Sequence, residues 1–207
     1  MAQSLFSHDP NPIRDAATVI LLRKMQDATR VLMGQRGKSA VFMPGKFVFP
    51  GGQVDPQDYD DAEPDMINPV CRARLEIDAT PALASALLVA ARRELLEETG
   101  LSLNPSTDMR FVFRAITPPE RPRRFDARFL VCDACDVMDN LDDFSRAEDE
   151  LTHLQWVSVA EALTLDLPFV TRIVLAEVKA LVARSGPPET VPFYDHRSPV
   201  GRITSLG

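Results

Sequence analysis

Residues 93–101 read Arg-Glu-Leu-Leu-Glu-Glu-Thr-Gly-Leu, which sets three carboxylates, Glu94, Glu97 and Glu98, at positions i, i+3 and i+4. In a helix that spacing places them on one face. Like charges crowded there repel, so a divalent cation is the partner expected to hold them together on an otherwise apolar helix. Oxygen ligands suit Mg²⁺ or Mn²⁺. Magnesium keeps several waters and is usually held by a few carboxylates plus substrate phosphates, so phosphate-ester or phosphoanhydride chemistry is the first expectation. Arg93 precedes Glu97 by four residues and can pair with it, holding that carboxylate in a coordinating rotamer. The plain alternative is a solvated face whose charges serve only solubility. Arg93, Gly100 and an upstream Pro50-Gly51-Gly52 in the same neighbourhood argue against it.

A second group could bind anions. Arg121, Arg123 and Arg124 cluster beside Pro118-Pro119 in a chain of net charge −7, and guanidinium forks grip phosphate. Arg36 and Lys38 are weaker candidates of the same type. Other reactive residues lack partners at useful spacing. His8, His153 and His196 are scattered, and Ser39, Ser85 and Ser198 lack the Gly-x-Ser-x-Gly setting of a nucleophile elbow. Cys132 and Cys135 form a C-x-x-C with no second Cys/His pair, and Cys71 stands apart, so the three are read as ordinary cysteines without a role. Trp156 is read as core or domain edge rather than a stacking platform.

These residues need a scaffold to position them. Residues 16–23 form a β-branched, nearly continuous apolar run expected as a buried strand, with residues 30–35 as its hairpin partner. Phe47-Val48-Phe49 reads as a strand running into a flexible Pro-Gly-Gly loop. Residues 55–79 turn polar and acidic and carry Pro56, Pro64 and Pro69, which suggests an insertion with one short helix around residues 70–76. Thr80 and Pro81 suit N-cap and first helical position. Leu83, Leu87, Ala91 and Leu95 then mark the buried stripe of a helix running to Thr99, where Gly100 supplies the C-terminal cap. Residues 110–116 and 126–132 read as a strand pair, 154–159 as a last strand, 169–184 as a closing helix, and 185–207 as an extended tail. Strands mixed with two main helices indicate an α/β layered fold.

The 207 residues, 45% hydrophobic and 26% charged, suit a single globular domain. The acidic balance argues against bulk nucleic-acid binding. No apolar run reaches transmembrane length and no signal peptide is recognisable at the N-terminus, so a cytoplasmic protein with no membrane partner is expected. A homodimer is the default assembly.

The motif resembles a known family. Arg93, Glu94, Glu97, Glu98 and Gly100 match the second half of the Nudix box, G-x5-E-x7-R-E-U-x-E-E-x-G-U, where U is a bulky aliphatic. Phe49-Pro50-Gly51-Gly52 is similar to the strand and loop that lead into that box, and the element order resembles a Nudix domain over residues 14–184. Counted back in register, the upstream Glu of the box falls on Ser85 and its Gly on Ala79, so both are missing. Gly51 or Gly52 is expected to take the glycine role at the substrate, with residues 55–79 inserted between loop and helix. Phe42-Met43-Pro44-Gly45 and Arg123-Arg124-Phe125-Asp126 resemble the branch related to peroxisomal acyl-CoA diphosphatases.

The resemblance implies a Nudix-type α/β/α sandwich with a mixed β-sheet and a metal-binding loop-helix motif. It implies cleavage of a diphosphate-linked small molecule by water, with Mg²⁺ or Mn²⁺ on Glu94, Glu97 and Glu98 and with Arg93 orienting Glu97. Coenzyme A or an acyl-CoA is the favoured substrate, and nucleotide sugars, dinucleotides and nucleoside triphosphates are the alternatives. With Ser85 at the box Glu, the proton acceptor is expected in Glu148-Asp149-Glu150, Glu150 first and Glu148 second. Arg121, Arg123, Arg124, Gly51 and Gly52 are the expected substrate contacts. A Nudix-fold module that binds a ligand without turning it over is the alternative of another class, favoured by Ser85 and opposed by the Glu97-Glu98 pair.

Overall fold

The architecture is set by one strand buried on both faces. In a computed structural model, which describes residues 11–60, 67–184 and 187–207, strand β1 spans Ile13–Lys24. Its apolar run is unbroken because successive side chains enter different cores. Ala17, Val19 and Leu21 pack into one cluster, Ile20 and Leu22 into the other. Strand β2 (Thr29–Arg36) returns antiparallel, with Arg23 opposite Arg30. The short strands β3 (Phe47–Val48) and β4 (Gly51–Gln53) follow. Beyond them come helix α1 (Pro69–Leu75), helix α2 (Pro81–Thr99), and strands β5 (Arg110–Ile116) and β6 (Arg124–Asp133). Strand β7 (Leu151–Ser158), helices α3 (Val159–Ala162) and α4 (Phe169–Val182), and strands β8 (Val191–Asp195) and β9 (Arg202–Leu206) complete the order.

The strands form one mixed sheet, ordered β3-β2-β1-β6-β5-β8-β9, with β4 also on β1 and β7 also on β2. β1 and β6 run parallel from Ile13 opposite Arg124 to Leu22 opposite Asp133. One face packs against α1 and α2, the other against α4. This is the expected α/β/α sandwich.

Helix α2 forms as its sequence dictates. The Thr80 hydroxyl accepts the Leu83 N–H at 3.1 Å, Pro81 occupies the first turn, and Gly100 closes the helix at φ 73° with its N–H on the Leu96 carbonyl. Leu87, Ala91 and Leu95 are fully buried beneath it. The helix is thereby fixed axially and in rotation.

Three expectations change. Gly51–Gln53 is not a free loop but pairs with Ala16–Thr18 of β1. The segment read as an extended tail folds back instead. β8 runs parallel to β5 and β9 closes a hairpin on it, burying Val191, Phe193 and Leu206. β7 is therefore not the last strand. Within the expected insertion the structure holds a 3₁₀ turn at Pro56–Tyr59 and α1, while residues 61–66, including Pro64, lie outside the described residues, as does His8.

Candidate active site

The site forms where the C-terminal half of α2 meets β4. Gly51 lies opposite Thr18 and Gly52 opposite Ala17. A side chain at Gly51, whose φ is 153°, would put its Cβ 2.4 Å from the Ala17 carbonyl oxygen. A Cβ at Gly52 would stand 2.3 Å from a Glu94 carboxylate oxygen. The glycines therefore let α2 press its carboxylates against strand backbone. Through that gap Glu98 accepts the Gly51 N–H at 2.7 Å. This N–H is committed to Glu98, so the expected direct role of Gly51 at the substrate gives way to clearance for the acid, and Gly52 gives clearance to Glu94.

Arg93 is the hub. Its Nη1 donates to Glu94 at 2.9 Å and to Glu97 at 3.0 Å, while Nη2 reaches the Gln53 carbonyl at 3.0 Å. Nε and Nη2 also grip both oxygens of Asp58, at 2.9 and 3.0 Å. Asp58 is 1% exposed and accepts the Asp55 N–H at 2.7 Å, which fixes it within the 3₁₀ turn. The hydrogen bonds that Arg93 donates to Asp58, then that to Glu94, hold its guanidinium still further above its ordinary range. Glu97 has the orienting partner its spacing predicts.

Asp58 was missed by sequence reasoning, yet a signal was present. Five residues separate Gly52 from Asp58, the separation of Gly and Glu in the box. The upstream acid is therefore present as Asp58, and the insertion lies between it and Arg93. Ser85, which falls at the in-register position, instead accepts a hydrogen bond from Arg72 at 3.1 Å and joins α1 to α2.

The carboxylates are buried beyond what a solvated face would show. Glu98 is 2% exposed, and among the described residues no cation pairs with it at ion-pair distance. Burial pushes its carboxyl up to about 8, with Glu94 and Glu150 adding to the shift and the Gly51 N–H opposing it. Burial likewise raises Glu94, against the pull of Arg93. Buried Glu98 without a cation of its own, beside Glu94 and Glu97 that share Arg93, fits an oxygen-seeking divalent cation in donor type and charge. The three acids do not, however, form a ready chelate. Among the described residues no three acidic, His or Cys side chains converge on one point. The cause is visible in the contacts, since Arg93 sits between Glu94 and Glu97 while Glu98 turns toward Gly51.

Glu150 lies on the same side, its charge felt by both Glu94 and Glu98. It pairs with Arg36 at 2.6 Å and remains 55% exposed. Glu148 approaches through its backbone, whose N–H donates to the Glu97 carbonyl at 2.8 Å, while its side chain stays in solvent. Arg124 is a correction. It is buried, with Nε on the Thr117 carbonyl at 3.1 Å and Nη2 on the His196 carbonyl at 2.6 Å, so these two nitrogens serve the fold. Arg121 and Arg123 stay exposed on the β5–β6 loop, and Phe125 beside them packs edge-on against Phe42, centroids 5.2 Å apart. Lys38 is exposed on the β2–β3 loop that carries Phe42. Trp156 is half-buried and donates to the Leu141 carbonyl at 2.8 Å. Cys71, Cys132 and Cys135 are unbridged, with burial pushing the Cys132 thiol up to about 12.

Comparison with known proteins agrees with this geometry. The NUDIX domain family model matches residues 84–178. No curated protein sequence matches significantly. A NUDIX hydrolase from Alicyclobacillus acidocaldarius is 28% identical, with a TM-score of 0.62 over 85% of this chain and 94% of that one. The NUDIX domain of Shewanella oneidensis NrtR, solved with ADP ribose, is 14% identical over 88% and 99% of the two chains, with a TM-score of 0.55. A C. elegans Ap4A hydrolase is 17% identical over 83% and 98%, with a TM-score of 0.50. Among the described residues no helix is long and apolar enough to cross a membrane. The NUDIX model match spans just under half of the chain, and the fold is that of Nudix hydrolases, which supports the enzyme class of a diphosphohydrolase.

Proposed function

We propose that this chain hydrolyses the diphosphate linkage of a nucleoside-diphosphate-linked metabolite, with Mg²⁺ or Mn²⁺ held by Glu94, Glu97 and Glu98 and with coenzyme A or an acyl-CoA as favoured substrate. The observation that carries the reading is the desolvated pair Glu94 and Glu98, pressed against β4 beside Arg93 and Glu97. The cation, when bound, would offset charge on the phosphoryl oxygens and acidify the attacking water. The chain's own residues do the rest. Arg93, held by Asp58, fixes Glu97 in place. Glu150 accepts the proton as water oxygen bonds to phosphorus and the anhydride P–O bond breaks. Asp58 supplies the acid that seemed lost at Ser85, which removes the sequence argument for a module that only binds.

The coenzyme A preference is supported by the contact of Phe42, on the β2–β3 loop, with Phe125 at the start of β6. Exposed Arg121 and Arg123, on the loop that leads into Phe125, and this aromatic pair match the chemistry of an adenine carrying a 3′-phosphate. Cleavage would give adenosine 3′,5′-bisphosphate and a phosphopantetheine. The test incubates pure protein with coenzyme A, ADP-ribose and a panel of nucleoside diphosphate compounds, with Mg²⁺, with Mn²⁺ and with chelator. Cation-dependent products from coenzyme A support the whole reading. Products from other compounds only would replace the substrate. Thermal stabilisation by a compound without any product would replace the enzyme with a binding module.

A further inference from the structure

Two arginines stand near the α2 carboxylates, and they are used differently. Every side-chain nitrogen of Arg93 has an acceptor: Nε on Asp58, Nη1 on Glu94 and Glu97, Nη2 on Gln53 and Asp58. Arg36 is only partly used. Its Nη2 donates to Glu150 at 2.6 Å, while its Nε is buried and has no hydrogen-bond partner among the described residues. A buried donor without an acceptor costs free energy. The guanidinium therefore rests where one more acceptor would improve it.

The backbone beneath it is fixed. Strand alternation sets Arg36 on the face of β2 that sends Leu32 into the α2 core. The Arg36 N–H donates to the Lys46 carbonyl at 2.9 Å, its carbonyl accepts the Gly45 N–H at 3.1 Å, and Leu151 of β7 lies opposite. A change of partner thus needs side-chain rotation alone. The charge of Arg36 also reaches Glu98, since burial raises that carboxyl and Arg36 pulls it down. Its present partner is held weakly. Glu150 is 55% exposed, and an ion pair with so exposed a member contributes little. Phosphoryl oxygens accept a guanidinium fork in two parallel charge-assisted bonds, which would satisfy Nε and an Nη nitrogen together.

We propose that Arg36 binds the diphosphate of the substrate, exchanging Glu150 for phosphoryl oxygens, so that arrival of the substrate releases Glu150 to accept a proton. The proposal rests on the reading of the site as one for a diphosphate substrate with Glu150 as proton acceptor. Its test measures the affinity of methylenediphosphonate, whose P–C–P linkage resists hydrolysis, by calorimetry in excess Mn²⁺. Turnover of the substrate cleaved in the panel above is followed alongside. The proteins are wild type, Arg36→Gln, Arg36→Lys, Glu150→Gln and the double variant Arg36→Gln/Glu150→Gln.

Arg36→Gln should weaken the probe about ten- to a hundredfold, the range for hydrogen bonds to charged groups, and Arg36→Lys, which keeps the charge without the fork, should recover part of it. Glu150→Gln should bind the probe about two- to fivefold more tightly, because Arg36 no longer leaves an ion pair to reach it. The double variant should lose that gain and match Arg36→Gln. Should Arg36→Gln fail to fold, Arg36→Lys and Glu150→Gln decide. Wild-type affinity in both Arg36 variants, even with reduced kcat, would mean that Arg36 only places Glu150 and would overturn the grip on phosphate. Unchanged or weaker affinity in Glu150→Gln overturns the exchange, while a fall in its kcat of about 10²–10⁴-fold leaves Glu150 as the proton acceptor. Wild-type kcat in Glu150→Gln removes that acceptor, and with it the release that the exchange would bring.

Discussion

Glu98→Gln should stabilise the cation-free protein at alkaline pH, although it removes a carboxylate from the candidate site. Glutamine keeps an oxygen to accept the Gly51 N–H, so the contact at 2.7 Å survives. What disappears is a buried charge. The Glu98 carboxyl is raised from 4.5 to about 8, chiefly by burial, so the folded state binds its proton more tightly than the unfolded chain does. The group therefore costs nothing below about pH 4.5. Stability is lost progressively as pH rises toward 8 and the penalty is constant above it. At about 1.4 kcal/mol per pH unit the ceiling is about 5 kcal/mol, and relaxation around a buried charge should leave roughly 2–4 kcal/mol. For a chain of this length that is a Tm gain of about 5–10 °C. The assay is a series of melts from pH 4 to 9 in chelator, repeated with Mn²⁺. In chelator the two curves should coincide near pH 4 and separate to a plateau above pH 8. With Mn²⁺ the wild type should recover more than the variant. Parallel curves at every pH, or a variant less stable than wild type at pH 9 in chelator, would refute the reasoning.

Other outcomes follow from the same contacts. Asp58→Asn leaves Arg93 without its bidentate partner and should cost about 3 kcal/mol in urea unfolding, with Asp58→Glu restoring part of the stability and the rate. Gly52→Ala drives a methyl into the space of the Glu94 carboxylate. It should lower kcat/KM at least about tenfold, and unchanged kinetics would show that Glu94 has no fixed place. Arg123→Ala should raise KM for coenzyme A by about tenfold with unchanged Tm. Arg124→Ala should do the reverse, lowering stability by about 2 kcal/mol with KM intact.

What could be read from sequence was local. Helix α2 declares itself through Thr80, Pro81, a four-residue apolar step and Gly100, all of which act within a turn or two of their own position. β1 likewise shows its two buried faces as an unbroken apolar run. Arg93 and Glu97 meet because four residues are one helical turn. The missed features depend on distant pairing. Asp58 reaches Arg93 across an insertion that breaks the motif's spacing, so counting back along the chain lands on Ser85. β8 was obscured by Pro192, which is tolerated because the strand meets β5 only at Phe193 and Tyr194. Arg124 looked like its exposed neighbours until the register of β6 turned it inward to two backbone carbonyls.

The most direct test of the metal site is Mn²⁺ binding followed by electron paramagnetic resonance, with turnover measured on the same samples, for wild type, Glu97→Gln and Glu98→Gln. The account predicts that wild type binds the ion, that each substitution weakens binding at least about tenfold, and that Glu97→Gln stays folded while losing turnover. Equal Mn²⁺ affinity in all three proteins, or wild-type turnover in Glu97→Gln, would contradict it.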